Sequence, residues 1–235
     1  RAPGTDPMTM LALQRDRRQA SPDDFIEQLV ELLGLLEDRL PPNHPFARHA
    51  KTLPGLPERP EPWLLGSSPQ SALWAAELGL PYSFADFINP QGAAIAADYR
   101  GRFVDSERLG APLVSVGVIA ICADTDEEAE RLASSSRMML SLLRQGRLIE
   151  IPPPEKAQAY LETRDRSSSG RRAVIGSPET VRAGIEQVAA EYGAEEVLVL
   201  TITYDHAARR RSYELIADAF GLASAQPSSS VVTSR

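Results

Sequence analysis

Trp63-Leu64-Leu65-Gly66-Ser67-Ser68-Pro69-Gln70-Ser71 is the stretch that decides how this 235-residue chain folds. Its first three residues are apolar and bounded by turn formers, the pattern of a short buried strand. Gly66 turns the backbone. Ser68-Pro69 then opens a helix, because serine caps well and proline suits the first helical position. A strand that enters a helix through such a turn aims backbone N–H groups and two hydroxyls at one spot above the strand end. That spot is a good seat for a phosphate. Gly66 leaves space for a ligand where a Cβ would stand, and Ser71, one turn further in, is a third candidate hydroxyl. In the plainer reading Ser68 merely caps the helix, and spacing alone leaves both readings open.

Upstream, Pro3, Gly4 and Pro7 mark residues 1–20 as loop-like. Ser21, Pro22 and Asp24 predict a capped helix start, and Phe25, Ile26, Leu29, Val30, Leu33 and Leu36 carry an apolar helical face to about residue 40. Pro41-Pro42 ends it, and a proline-rich surface loop follows. Downstream, strand and helix signals alternate. Strands are expected at 62–65, 81–88, 113–123 and 196–202. Helices are expected at 69–78, 93–103, 126–145 (capped by Thr125), 178–193 and from Asp205 to near Gly221. Residues 146–172, with Pro152-Pro153-Pro154, read as an irregular insertion, and 173–175 as a short apolar run. The alternation predicts a parallel sheet covered by helices. Four strands are few for this length, so the alternatives are a small open sheet and the second half of an eight-stranded barrel, with site groups at the C-terminal strand ends. Residues 1–222 read as one domain, and the Ser-rich segment 223–235 as a disordered tail.

The composition is 43% hydrophobic and 24% charged, with a net charge of −7, which argues against a nucleic-acid surface. Arg15, Arg17 and Arg18 surround Asp16 and read as a solvated face. The single cysteine, Cys122, lies in an apolar run and reads as a buried, inert thiol; a reducing cytoplasm fits it. No stretch of 18 apolar residues or signal peptide points to a membrane. His44 and His49 lie in the proline-rich loop without metal-ligand spacing, and His206 is expected exposed. Asp124, Asp126, Glu127 and Glu128 cover a helix N-terminus, where the dipole favours acids, so no metal site is expected. Gly176-Ser177-Pro178 repeats the opening motif in miniature but is explained by a capped helix start, and no ligand is assigned to it. No catalytic Ser/His/Asp set, GxGxxG or Walker loop is present.

Residues 63–72, followed by Ala75-Ala76-Glu77-Leu78-Gly79-Leu80-Pro81, resemble the bacterial luciferase-like monooxygenases. Tyr82-Ser83-Phe84-Ala85, Val174-Ile175-Gly176-Ser177-Pro178-Glu179 and Ser212-Tyr213-Glu214-Leu215 match the same pattern, and the resemblance runs to Gly221. It implies an α/β fold, a (β/α)8 barrel of luciferase-like type, of which this chain carries the C-terminal half (strands five to eight and their helices). It also implies reduced flavin mononucleotide (FMN) and O2 acting on an organic substrate, a flavin reductase as supplier, and a homodimer. Arg1, Gly66, Ser67, Ser68 and Ser71 match the phosphate-holding positions, and Phe84 a pocket position near strand six. Asp86 departs from the pattern, standing where relatives carry His or an aromatic beside the flavin. No catalytic acid or base is assigned. The rival expectations are a non-catalytic remnant or partner subunit of such a barrel, and a sister enzyme using the deazaflavin F420.

Overall fold

The computed structural model describes Met8, Leu11, Ala12 and residues 25–50, 60–163 and 172–222. Ser21, Pro22, Asp24, Arg1 and the 223–235 tail lie outside the described residues. The chain divides into two compact units, residues 1–63 and 64–235.

In the first unit, helix α1 spans Phe25–Leu36 and the single turn α2 spans Ala47–Ala50. Helix α1 stops four residues short of the expected end. Asp38 adopts a left-handed φ of 55° and the Arg39 N–H folds back to the Gly34 carbonyl at 2.8 Å, a C-terminal closure that precedes the Pro41-Pro42 break. His44 is held 3.2 Å from the Glu31 carboxylate on α1.

The second unit is a parallel sheet with helices between the strands: β1 Leu64–Gly66, α3 Pro69–Glu77, β2 Tyr82–Ala85, α4 Ala93–Arg102, β3 Val114–Cys122 and α5 Asp126–Leu143 come first. Then follow α6 Pro154–Glu162, β4 Ala173–Gly176, α7 Pro178–Tyr192, β5 Glu196–Leu200 and α8 His206–Ala219. Two elements correct the sequence reading. Helix α6 lies within the stretch expected to be irregular, because Pro154 begins the helix rather than breaking one. The short run at 173–175 is a paired strand, making five strands rather than four.

Strand β3 is the hub, buried along its whole length. Val116 pairs with both Phe84 of β2 and Val197 of β5, and Ile119 with both Ala173 of β4 and Leu200 of β5. Strand β5 therefore lies on one side of β3, while β2 and β4 follow one another along the other side. In-register partners in a parallel sheet share a face. Tyr82, Phe84, Val114 and Val116 thus point one way, and the ring contacts of Tyr82 with Tyr99 on α4 (5.4 Å) and Phe84 with Tyr192 on α7 (5.4 Å) identify that side as the helix-covered face. Leu65, Ser83, Ala85, Ser115, Gly117, Leu198 and Leu200 take the opposite face. On it Leu65 is 57% exposed and Leu198 53%.

Candidate functional site

The turn after β1 is built as a closed capping box. The Ser71 N–H donates to Ser68 Oγ at 3.3 Å, and the Ser68 N–H donates back to Ser71 Oγ at 3.4 Å. Ser71 Oγ also donates to the Ser68 carbonyl at 2.8 Å and meets the buried Tyr82 hydroxyl at 3.0 Å. Its hydrogen and lone pairs are spent inside the protein. Ser71 braces the turn from beneath, and facing a ligand would require leaving these partners. The same side chain explains Gly66: a Cβ there would stand 2.1 Å from Ser71 Oγ. The glycine thus makes room for a serine of the chain itself, which corrects the expectation that it leaves space for a ligand. Burial pushes the Tyr82 phenol up to about 12, partly offset by its bond to Ser71, so it stays neutral.

The outward side of the turn is different. Ser68 is exposed and Ser67 half-buried. The Ser67 hydroxyl makes no hydrogen bond among the described residues, while the Ser67 carbonyl accepts from Asn89 Nδ2 at 3.3 Å. Pro69 occupies the first helical position and carries no N–H, and the Ser71 N–H is already capped. The Ser68 hydroxyl, although exposed, is engaged with Ser71, accepting from its N–H at 3.3 Å and donating to its Oγ at 3.4 Å. A phosphate would compete with Ser71 Oγ for the Ser68 hydroxyl hydrogen, while the Ser67 hydroxyl stands ready at the positive end of α3, a helix of nine residues.

Phe84 is not beside this opening. It is fully buried on the helix-covered face against Tyr192, and a Cβ on Gly92 would fall 2.0 Å from its ring. The expected pocket role is corrected to a core role, because strand alternation sends residue 84 to the helices and residues 83 and 85 to the opposite face. On that opposite face Ser83 and Ser115 stand in register, both buried, their hydroxyls without a hydrogen-bond partner among the described residues.

Asp86, which sequence reasoning left without a role, is the centre of a buried clasp. Its carboxylate is bracketed by Arg172, with Nη2 at 2.6 Å and Nε at 3.2 Å, and accepts from the Tyr192 hydroxyl at 2.8 Å. Tyr192 in turn accepts from the Gly92 N–H at 3.1 Å. Arg172 also binds Glu191 at 2.6 Å and lies over the Tyr192 ring. Burial works against the guanidinium charge, yet the bonds to Asp86 and Glu191 hold Arg172 well above its ordinary value; burial, then Asp86, raises Tyr192. The sequence signals nothing of this, since Asp86 and Arg172 are 86 positions apart.

The other flagged groups are structural. Cys122 is buried, and burial with nearby Asp124 pushes its thiol up to about 11, so it is inert. Thr125 caps α5, Asp124 pairs with Arg211 at 2.8 Å, and His206 is exposed on α8. No helix among the described residues is long and apolar enough to cross a membrane.

The model of the luciferase-like monooxygenase family matches residues 5–196. The chain belongs to that family. The Luciferase-like monooxygenase of Escherichia coli (strain K12) is 34% identical, over 93% of this chain and 65% of its own. Among solved structures, apo-MsnO8 is 34% identical and superposes with a TM-score of 0.77 over 88% of this chain and 62% of its own. The oxygenating constituent of 3,6-diketocamphane monooxygenase from Pseudomonas putida, a type II Baeyer–Villiger monooxygenase in complex with FMN, is 19% identical. It shares the fold with a TM-score of 0.58, over 91% of this chain and 67% of its own. The chain spans about two thirds of the length of the curated relatives it matches. Its matched region takes in the turn after β1, the Asp86 clasp and the Ser177 helix start.

Proposed function

We propose that the protein is a flavin-dependent monooxygenase that uses reduced FMN and O2 on an organic small molecule, with the cofactor phosphate seated on the turn after β1. The observation that carries this reading is the construction of that turn in a chain of a monooxygenase family: Ser71 and Tyr82 brace it with hydrogen bonds, while the half-buried Ser67 hydroxyl, beside the N-terminus of α3, has no hydrogen-bond partner among the described residues. A phosphate fits hydroxyl donors at a helix N-terminus. Gly66 shapes the seat, Ser67 and Ser68 line it, and Ser71 braces it. The orphan hydroxyls of Ser83 and Ser115 give the inner face further hydrogen-bonding capacity for a polar cofactor. Reduced flavin, when bound, supplies the electrons and activates O2. The chain's own part is to hold the anion and to exclude water from the face it lines. A cytoplasmic homodimer fed by a flavin reductase completes the reading. F420 is the alternative occupant of the same seat.

A second reading is favoured by the sheet edges. Among the described residues β1 pairs only with β2, and β5 only with β3, while Leu65, Leu198 and Leu200 stay exposed on the inner face. We read these strands as the C-terminal half of a (β/α)8 barrel whose edges and inner face other strands complete. On its own, such a piece would behave as a partner subunit or remnant rather than an enzyme.

Anaerobic titration of the full-length protein with reduced FMN tests the seat. The Ser67→Ala/Ser68→Ala variant is expected to bind at least about tenfold more weakly, the equivalent of one charge-assisted hydrogen bond. Unchanged affinity removes the assignment.

A further inference from the structure

We infer that Asn89 is a positioning residue for the anion seat, holding the Ser67–Ser68 peptide in the orientation that a phosphate needs; this rests on the reading of that turn given under Proposed function. The two serines proposed to meet the phosphate flank one peptide plane. In a trans peptide the C=O and the N–H point in opposite directions. Here both ends are gripped: Asn89 Nδ2 donates to the Ser67 carbonyl at 3.3 Å, and the Ser68 N–H donates to Ser71 Oγ at 3.4 Å. With the plane fixed, neither hydroxyl-bearing residue can swing without breaking a bond at one end.

The Asn89 amide is itself oriented. Its Oδ1 accepts from the Gln91 N–H at 3.1 Å, which leaves Nδ2 as the group aimed at Ser67. Its own N–H is tied to the Ala85 carbonyl at 3.2 Å. The loop that carries Asn89 is anchored at both ends by one phenol: the Tyr192 hydroxyl donates to Asp86 at the loop's start and accepts from the Gly92 N–H at its end. Arg172 also fixes Asp86, its Nη2 sharing Oδ1 with the Tyr192 hydroxyl and its Nε bonding Oδ2. Asp86, directly after strand β2, thus gains a purpose. It makes the loop rigid enough for a side chain three residues on to hold the neighbouring turn.

The test compares reduced FMN with reduced riboflavin, which lacks only the phosphate, in anaerobic equilibrium binding to the full-length protein. Wild type is expected to prefer FMN. Asn89→Ala is expected to cut that preference about tenfold, with riboflavin affinity and melting temperature unchanged. Asn89→Asp keeps the acceptor for Gln91 N–H but loses the donor, so it is expected to lose at least as much. A wild type without preference for FMN overturns the phosphate seat itself. A wild type with that preference, and an Asn89→Ala that retains it in full, overturns the positioning role alone. Equal weakening of both ligands, or recovery in Asn89→Asp, assigns Asn89 to loop structure and also overturns it.

Discussion

Two turns in this molecule have nearly the same local sequence and opposite fates. Gly66-Ser67-Ser68-Pro69 and Gly176-Ser177-Pro178 both leave a short parallel strand and start a helix at proline. In the second, the anion is already there. Asp126 Oδ1 accepts the Ser177 N–H at 2.6 Å, and a Cβ on Gly176 would fall 2.6 Å from that same oxygen. The Ser177 amide, with the hydroxyls of Thr180 and Ser177, holds the Asp126 carboxyl below its ordinary value. Among the described residues no acid is bonded to the first turn. It is braced by the neutral hydroxyls of Ser71 and Tyr82, and the half-buried Ser67 hydroxyl has no hydrogen-bond partner among the described residues. The fold thus supplies its own example of an anion seated on a Gly-Ser-Pro turn, and the difference lies in whether a carboxylate of the chain occupies it.

Making the first turn like the second should have the largest effect. Ser68→Asp preserves the cap, since aspartate caps as well as serine, but places a charge where the phosphate would lie. Reduced FMN affinity is expected to fall by about a hundredfold or more with the melting temperature nearly unchanged; retained affinity would break the comparison. Gly66→Ala comes next. With Ser71 Oγ 2.1 Å from the new Cβ, the overpacked turn should lose about 2 kcal/mol in denaturant unfolding. A neutral result would mean that Ser71 has freedom the geometry denies it. Ser67→Ala removes a hydroxyl with no structural partner, so stability should be unchanged while FMN affinity drops about tenfold.

The smallest effect belongs to the second turn. Asp126 titrates below its ordinary value of 3.8 in the folded protein. Its stabilisation is therefore complete above that value and is lost as pH falls through the folded value. Asp126→Asn should melt slightly below wild type at neutral pH, and the gap should shrink as the pH falls below the ordinary value of 3.8. A gap that widens on acidification contradicts the carboxylate's role.

Much of this was legible in the chain because local chemistry speaks there. Ser68, Thr125 and Asp205 cap their helices as read, and the β-branched run after Leu113 is the central strand. What was missed depended on distant partners. Ala173–Gly176 is too short to announce itself and becomes a strand only because β3 outruns β2 and offers a vacant edge. Pro154 reads as a breaker until it is seen at the first position of α6. Phe84 needed the register to show which face it takes. Asp86, Arg172 and Asn89 form a mechanical link between the loop after β2 and the turn after β1, and no local pattern encodes such a link.

The most direct test is a structure of the full-length protein with FMN bound. Phosphate oxygens are expected within hydrogen-bond distance of the Ser67 and Ser68 hydroxyls, with Asp126 still seated on Ser177. A phosphate bound elsewhere, with the Ser67 hydroxyl facing solvent or packed carbon, would contradict the reading.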